Sequence, residues 1–204
     1  MNQGLKRELE IGLRAVRQAA GLCCQVQSAI NTESLSKQDS SPVTVADFGS
    51  QALICRLLRS EFPGDPVIGE EGAAELRKPS GADFLQQVLS LCEQTGASGS
   101  ADDVCDWIDH GGASQYSARF WTLDPIDGTK NFLRGVPIWA TLIGLAYRDK
   151  NGRDSMVAGI VSAPALFRRW YAALGFGAFT EVNGGPATQI HVSSVKNLGD
   201  ASLS

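Results

Sequence analysis

Two aspartates three residues apart, Asp124 and Asp127, sit in the run Trp121-Thr122-Leu123-Asp124-Pro125-Ile126-Asp127-Gly128-Thr129. Arg119 to Leu123 reads as a strand that delivers both carboxylates and the Thr129 hydroxyl into one tight turn. Pro125 holds Asp124 extended and has no N–H to give to a sheet ladder. Asp127-Gly128 is turn chemistry, and Thr129 to Arg134, closed by Gly135, reads as a short helix. The amides of Gly128 and Thr129 are then open donors at a helix start, where an anion such as phosphate is favoured. Carboxylates and anion donors crowded into one turn need a cation between them. The chemistry this points to is metal-assisted handling of phosphate.

A lone D-P-x-D-G is more often a turn than a site. A calcium loop fails because Ile126 stands two residues after Asp124, where an oxygen ligand is required. The aspartyl-phosphate pattern fails as well, because it separates its two acids by one residue rather than two. Further acids upstream raise the turn above coincidence: Asp47, at the end of Ser41-Pro42-Val43-Thr44-Val45-Ala46-Asp47, and the Gly69-Glu70-Glu71 segment.

The elements that must position these groups follow from periodicity. Leu9, Leu13, Val16, Ala20, Cys23 and Ile30 recur at helical steps and predict a long first helix. Asn31 to Ser41 is polar and loop-like. Ser41–Asp47 then leads into a second helix with Leu53, Ile54, Leu57 and Leu58 on its buried face. A turn at Phe62 to Asp65 precedes a short strand, Pro66 to Gly69, ending at Glu70-Glu71. From Gly72 to Ala118 the composition suggests a helical insertion, its helices opened by capping boxes at Ser80–Asp83 and Ser100–Asp103. The acids Asp102, Asp103, Asp106 and Asp109 read as a solvated helix face. Strands follow at Trp139–Tyr147, Met156–Ala163, Arg168–Leu174, Gly175–Phe179 and Ile190–Ser193. Two helices and a mostly antiparallel sheet interrupted by helical pieces make the class α+β.

Composition bounds the function. The 204 residues suffice for one ordinary domain with a real core. A net charge of −4 argues against a surface that coats nucleic acid. The polar start, Met1 to Glu10, is not a signal peptide, and no apolar run approaches membrane-spanning length, so no membrane partner and a cytoplasmic location are expected. Five cysteines without zinc-type or CxxC spacing suggest reduced thiols, with Cys23, Cys55 and Cys92 on apolar helix faces. His110 and His191 are the only histidines, too few for a phosphohistidine or Ser-His mechanism.

Taken in order, S-P-V-T-V-A-D at Ser41–Asp47, G-E-E at Gly69–Glu71 and L-D-P-I-D-G-T-K at Leu123–Lys130 resemble the lithium-sensitive, magnesium-dependent phosphatases of the inositol monophosphatase superfamily. The Ser41–Thr44 wording and the insertion ending Asp102-Asp103-Val104 to Gly111 resemble the 3′(2′),5′-bisphosphate nucleotidases. Asn131-Phe132, Val136 to Trp139, Ser162 to Leu166 and Arg168-Arg169-Trp170 look more like histidinol-phosphate phosphatases of the same superfamily. The resemblance implies a layered α/β sandwich, possible homodimers, and a small phosphorylated metabolite as substrate, with no nucleic-acid polymer involved.

The resemblance also assigns roles. Glu70, Asp124 and the Ile126 carbonyl would ligate a first Mg²⁺, and Asp124 would bridge to a second that Asp127 also holds. Two or three ions, with Li⁺ inhibitory, are implied. Glu71 would hold a metal-linked water or simply carry exposed charge. Thr129 and Asp47 would take the proton of an attacking water, and the Gly128 and Thr129 amides would hold phosphate, with no covalent phosphoenzyme. Asp47 also stands where a helix cap would, and Lys130 and Arg134 where a solvated helix face would.

Relatives carry a later W-D-x-A-A-like segment whose aspartate completes the second metal site, and nothing after Asp127 matches it. Asp149, Asp154 and Asp200 sit in turn-like or terminal contexts. Residues 1–204 therefore read as an N-terminal metal-phosphatase domain, incomplete at its C-terminal side, for which weak second-ion binding, little turnover and an exposed apolar face are expected. Two functions stand: a phosphomonoesterase with adenosine 3′,5′-bisphosphate preferred over histidinol phosphate or inositol phosphate, and a metal-binding chain without turnover.

Overall fold

The apolar stripe from Leu9 through Val16 to Cys23 forms one face of α1, Lys6–Ala29, as its spacing predicts. The computed structural model describes residues 5–30, 41–114 and 117–201, so the expected loop lies outside the described residues up to position 40. Its last residue, Ser41, already opens α2, Ser41–Glu61. The S-P-V-T-V-A-D segment is the start of that helix rather than its approach. Pro42 sits in the first turn, where its missing N–H breaks no helical bond. Asp47 consequently lies inside the helix and cannot be its cap.

After the turn at Phe62 comes β1, Val67–Ile68. The insertion holds a 3₁₀ turn at Pro79–Gly81, then α3, Ala82–Gln94, and α4, Ala101–Asp109. Only one of the two expected capping boxes forms. Ser100 and Asp103 bond reciprocally at the start of α4, whereas α3 is preceded by Gly81 with no side-chain cap. Pro79 starts the 3₁₀ turn and draws Ser80 inside it, away from the capping position.

The remaining elements are β2 (Arg119–Asp127), α5 (Thr129–Leu133), β3 (Ala140–Arg148), β4 (Asp154–Ala163), β5 (Arg168–Ala173), β6 (Gly177–Val182) and β7 (Thr188–Ile190). The last two are displaced from the expected Gly175–Phe179 and Ile190–Ser193. Gly175, with φ +82°, turns the β5–β6 hairpin instead of extending, and β7 ends before His191. The seven strands lie in chain order in one sheet, β1 parallel to β2 and every later pair antiparallel.

Alternation along β2–β4 turns Trp121, Leu123, Ile143, Leu145 and Ile160 toward α1 and the second half of α2, which contributes Ile54 and Leu58. The first half of α2, with Val45, Phe48 and Leu53, packs in a second core with α3 and α4. Packed on both sides, α2 has no exposed residue from Val45 to Cys55, polar positions included. Arg119 fastens the layers together: its guanidinium bonds Glu8 of α1 at 3.0 Å and Asp65 at 2.7 Å, and Trp121 Nε1 donates to the same Asp65 oxygen at 3.0 Å. Cys23, Cys55 and Cys92 are buried free thiols, as core packing requires. No described helix is long and apolar enough to cross a membrane.

Candidate active site

The parallel pairing of β1 with β2 joins the two acidic segments. Val67 pairs with Trp121 and Ile68 with Thr122, and Glu70, two residues past β1, lies close enough to Asp124 for its charge to act on that carboxyl. Glu70 follows the end of β1 and Asp124 lies within the second half of β2, although the insertion separates them in sequence.

A bulge brings Asp127 to the same side. Residues three apart on a regular strand point to opposite faces. β2 does not stop at Leu123 as expected. It runs on to Asp127, and Asp124 pairs with Leu142 while Asp127 pairs with Ala140. Three steps on β2 thus match two on β3, and the extra residue returns Asp127 to the face that carries Asp124. Pro125 is tolerated at this bulge. Its carbonyl is anchored from behind by the buried hydroxyls of Thr141, at 2.9 Å, and Ser50, at 3.4 Å.

Past the bulge, Gly128 adopts the left-handed conformation, φ +90° and ψ 33°, and α5 begins at Thr129. The first helical amides that bond back are those of Asn131 and Phe132, both to the Gly128 carbonyl. A Cβ on Gly128 would meet the Ile138 carbonyl at 2.9 Å in a conformation L-residues resist. Gly128→Ala is therefore expected to lower unfolding stability by about 1–3 kcal/mol. Urea denaturation measures it, and an unchanged midpoint would contradict the strained geometry.

Asp47, Ser50 and Gln51 form a buried polar strip on α2 that reaches both acidic segments. Ser50 touches Pro125, as above. The Gln51 carboxamide accepts from the amides of Glu70 (3.1 Å) and Glu71 (3.0 Å) and donates to the carbonyls of Glu71 (2.6 Å) and Ile108 (2.9 Å). Neither Ser50 nor Gln51 was picked out from the sequence. A polar pair interrupting the apolar face of a buried helix, one turn beyond a candidate acid, was the available signal.

The acids form a cup with Asp47 at its floor, Asp124 and Glu71 half-buried, and Glu70 and Asp127 exposed at the rim. Burial first, then the charges of Glu71, Glu70 and Asp124, push Asp47 up to about 8. Asp124 is raised to about 6, by burial and then by Glu70 and Asp127, against a bond from the Ile126 amide that favours its charged form. Glu71 is raised by burial and by Glu70. Asp47 thus feels Glu70, Glu71 and Asp124, and Asp127 acts on Asp124.

Among the described residues, no three acid, His or Cys side chains converge on one point as a finished metal cage. The fit to a hard cation rests on two other observations. Asp124 Oδ1 is buried with no hydrogen-bond partner, and the charges acting on Asp124 are the carboxylates of Glu70 and Asp127, hard oxygen ligands suited to Mg²⁺. The Thr129 hydroxyl donates to the Ile126 carbonyl at 3.0 Å. Lys130 and Arg134 are exposed, as a solvated face requires.

The remaining acids have structural partners. Asp106 and Asp109 bond Arg77, and Asp109 also accepts from the Ala73 amide at 2.7 Å, so the α4 face is tied to its neighbours rather than merely solvated. Asp149 closes its own turn, Asp154 forms a bidentate pair with Arg148, and Asp200 accepts from Asn197.

Comparison with known proteins agrees with this fold. A histidinol-phosphatase of Mycobacterium tuberculosis is 39% identical over 169 residues, covering 83% of this chain and 48% of that protein. The 3′(2′),5′-bisphosphate nucleotidase 1 of Arabidopsis thaliana is 33% identical over 230 residues, covering 97% of this chain and 64% of that protein. Among solved structures, CysQ from Bacteroides thetaiotaomicron, a bacterial member of the inositol monophosphatase family, aligns at a TM-score of 0.60 with 16% identity, over 96% of this chain and 62% of its own. An inositol monophosphatase from Anabaena aligns at 0.57 with 23% identity, over 95% and 52%. The chain spans from about half to under two-thirds of the length of the two curated relatives. The profile of the inositol monophosphatase family matches residues 6–204, and with the relatives above it makes this chain a member of that family.

Proposed function

We propose that this chain carries the metal and water-activating residues of a Mg²⁺-dependent phosphomonoesterase. Its preferred ester is adenosine 3′,5′-bisphosphate, hydrolysed to AMP and phosphate. The observation that carries the reading is the unpartnered, buried Asp124 oxygen among Asp47, Glu70 and Asp127. Such a group is costly to bury unless a cation compensates it. The substrate preference is supported by the Ser41–Thr44 wording and by nucleotidase relatives that align with nearly the whole chain. Histidinol phosphate is the second reading, favoured by the 39% identity to the mycobacterial histidinol-phosphatase.

In this scheme Glu70, Asp124, Asp127 and the Ile126 carbonyl hold magnesium, with Glu71 beside them. Bound Mg²⁺ supplies Lewis acidity toward water and phosphate and neutralises developing charge; two or three ions, and Li⁺ inhibition, belong to the same reading. Asp47 and Thr129 take the proton from the attacking water as its oxygen bonds to phosphorus. The bond from phosphorus to the 3′ oxygen breaks, and that oxygen leaves with a proton as the alcohol of AMP. The Gly128 and Thr129 amides hold the phosphate oxygens in line.

Phosphate release from adenosine 3′,5′-bisphosphate, histidinol phosphate and inositol 1-phosphate, with Mg²⁺ and with added Li⁺, tests the proposal. The nucleotide is expected to give the highest kcat/KM, and Thr129→Ala and Asp47→Asn each to lower it by about a hundredfold or more. A preference for histidinol phosphate would replace the substrate assignment. Mg²⁺ binding without phosphate release from any ester would leave a metal-binding chain without turnover.

A further inference from the structure

We infer that Gln51 is a positioning residue: its carboxamide clamps the Glu70–Glu71 backbone to α2 and so sets where both carboxylates begin. The functional consequence rests on the metal-phosphatase reading; the clamp itself rests on geometry. Gln51 is fully buried, and three of its four hydrogen bonds go to Glu70 and Glu71. The fourth reaches the Ile108 carbonyl at the end of α4, so one side chain ties the acidic loop to both α2 and the insertion.

The surroundings are shaped for this group. A Cβ on Gly69 would fall 2.5 Å from the carboxamide oxygen and one on Gly111 would fall 2.6 Å from its nitrogen. The same two glycines bond to each other, Gly69 N–H to Gly111 carbonyl at 2.7 Å. Any side chain at either position would displace the carboxamide. Because Asp47 lies one helical turn before Gln51, a single rigid element carries the floor acid and fixes Glu70 and Glu71 relative to it. β1 is only two residues long and cannot by itself hold the loop that follows it.

A buried glutamine satisfied for packing alone would affect stability without affecting the site, so the test separates the two. Gln51→Met keeps the shape and loses every bond; Gln51→Glu keeps the acceptor oxygen for the Glu70 and Glu71 amides. Amide exchange is followed in the metal-free 204-residue chain, with the Leu53 and Ile54 amides as reference for global opening, and Mn²⁺ is titrated calorimetrically well below each melting temperature. In Gln51→Met, the Glu70 and Glu71 amides are expected to exchange at least about tenfold faster relative to the reference, and Mn²⁺ to bind roughly 10–100-fold more weakly. Gln51→Glu is expected to retain the amide protection, which keeps the clamp testable if the methionine variant fails to fold. Wild-type protection in Gln51→Met, rapid exchange in Gln51→Glu, or Mn²⁺ affinity within about twofold of wild type in Gln51→Met would each overturn the inference. A wild-type chain that binds no Mn²⁺ would instead sink the metal-site reading, and this consequence with it.

Discussion

Asp124→Asn is expected to melt above the wild-type chain in EDTA and yet to bind Mg²⁺ about a hundredfold more weakly. The two effects have one cause. Asp124 is half-buried, leaves Oδ1 without a partner, and faces Glu70 and Asp127, so its charge is unfavourable in the metal-free protein. Asparagine keeps the size and the oxygen that accepts the Ile126 amide, and it adds donors toward the neighbouring carboxylates. Removing one like charge from such a cluster is worth on the order of 1 kcal/mol, or about 2–4 °C for a chain of this size. A hundredfold loss of affinity corresponds to about 2.7 kcal/mol of lost ligation. Calorimetric melting and Mg²⁺ titration measure the pair. A variant that melts lower and binds Mg²⁺ as tightly as wild type would mean that Asp124 is an ordinary structural acid.

In EDTA, the melting temperature is expected to fall as pH rises from 5 to 8, and the increment gained from saturating Mg²⁺ to grow over the same range. Asp47 at about 8, Asp124 at about 6, and Glu71 above its ordinary value all bind protons more tightly in the folded chain than in the unfolded one. Their contribution to stability is therefore greatest below the unfolded carboxylate range, near 4, and is lost as pH climbs through the folded values. Within that window a fully titrating group changes stability by about 1.4 kcal/mol per pH unit. His110, lowered by burial, acts in the opposite sense through its unfolded value near 6.5, one group against three. The acids held below their ordinary range, Glu61, Asp103 and Asp154, are surface groups that lose their contribution only in more acidic solution. A divalent ion selects the deprotonated acids, so its stabilisation rises with pH. A flat melting profile in EDTA, or a Mg²⁺ increment that shrinks toward pH 8, would contradict this charge balance.

The acids of the site were legible because their chemistry is local: D-P-I-D-G-T and G-E-E name carboxylates, a left-handed glycine and a hydroxyl within a few residues. Helices with long apolar stripes, α1 and α3, were legible for the same reason. What joins the segments was not. Pairing of Val67 with Trp121 is a long-range choice of register, and the Gln51 carboxamide finds partners 19 to 57 positions away. Pattern reasoning also placed the start of α2 too late, because proline in a first helical turn and proline in an extended lead read alike. Periodicity ends β2 at Leu123, too early, since a bulge leaves no periodic signal. Nothing local marks Arg119 as the fastener of the layers, because Glu8 and Asp65 meet it only in the fold.

The extra residue in β2 makes the motif tolerant of some mutations and intolerant of others. Exchanging one side chain for another between Asp124 and Asp127 leaves both acids on their shared face, with a graded loss. Straightening the bulge while keeping three steps between the acids would restore strict alternation and send one of them to the wrong surface at once. The match between spacing and bulge, more than the identity of what lies between the aspartates, is the quantity that an evolving or engineered version of this protein must preserve.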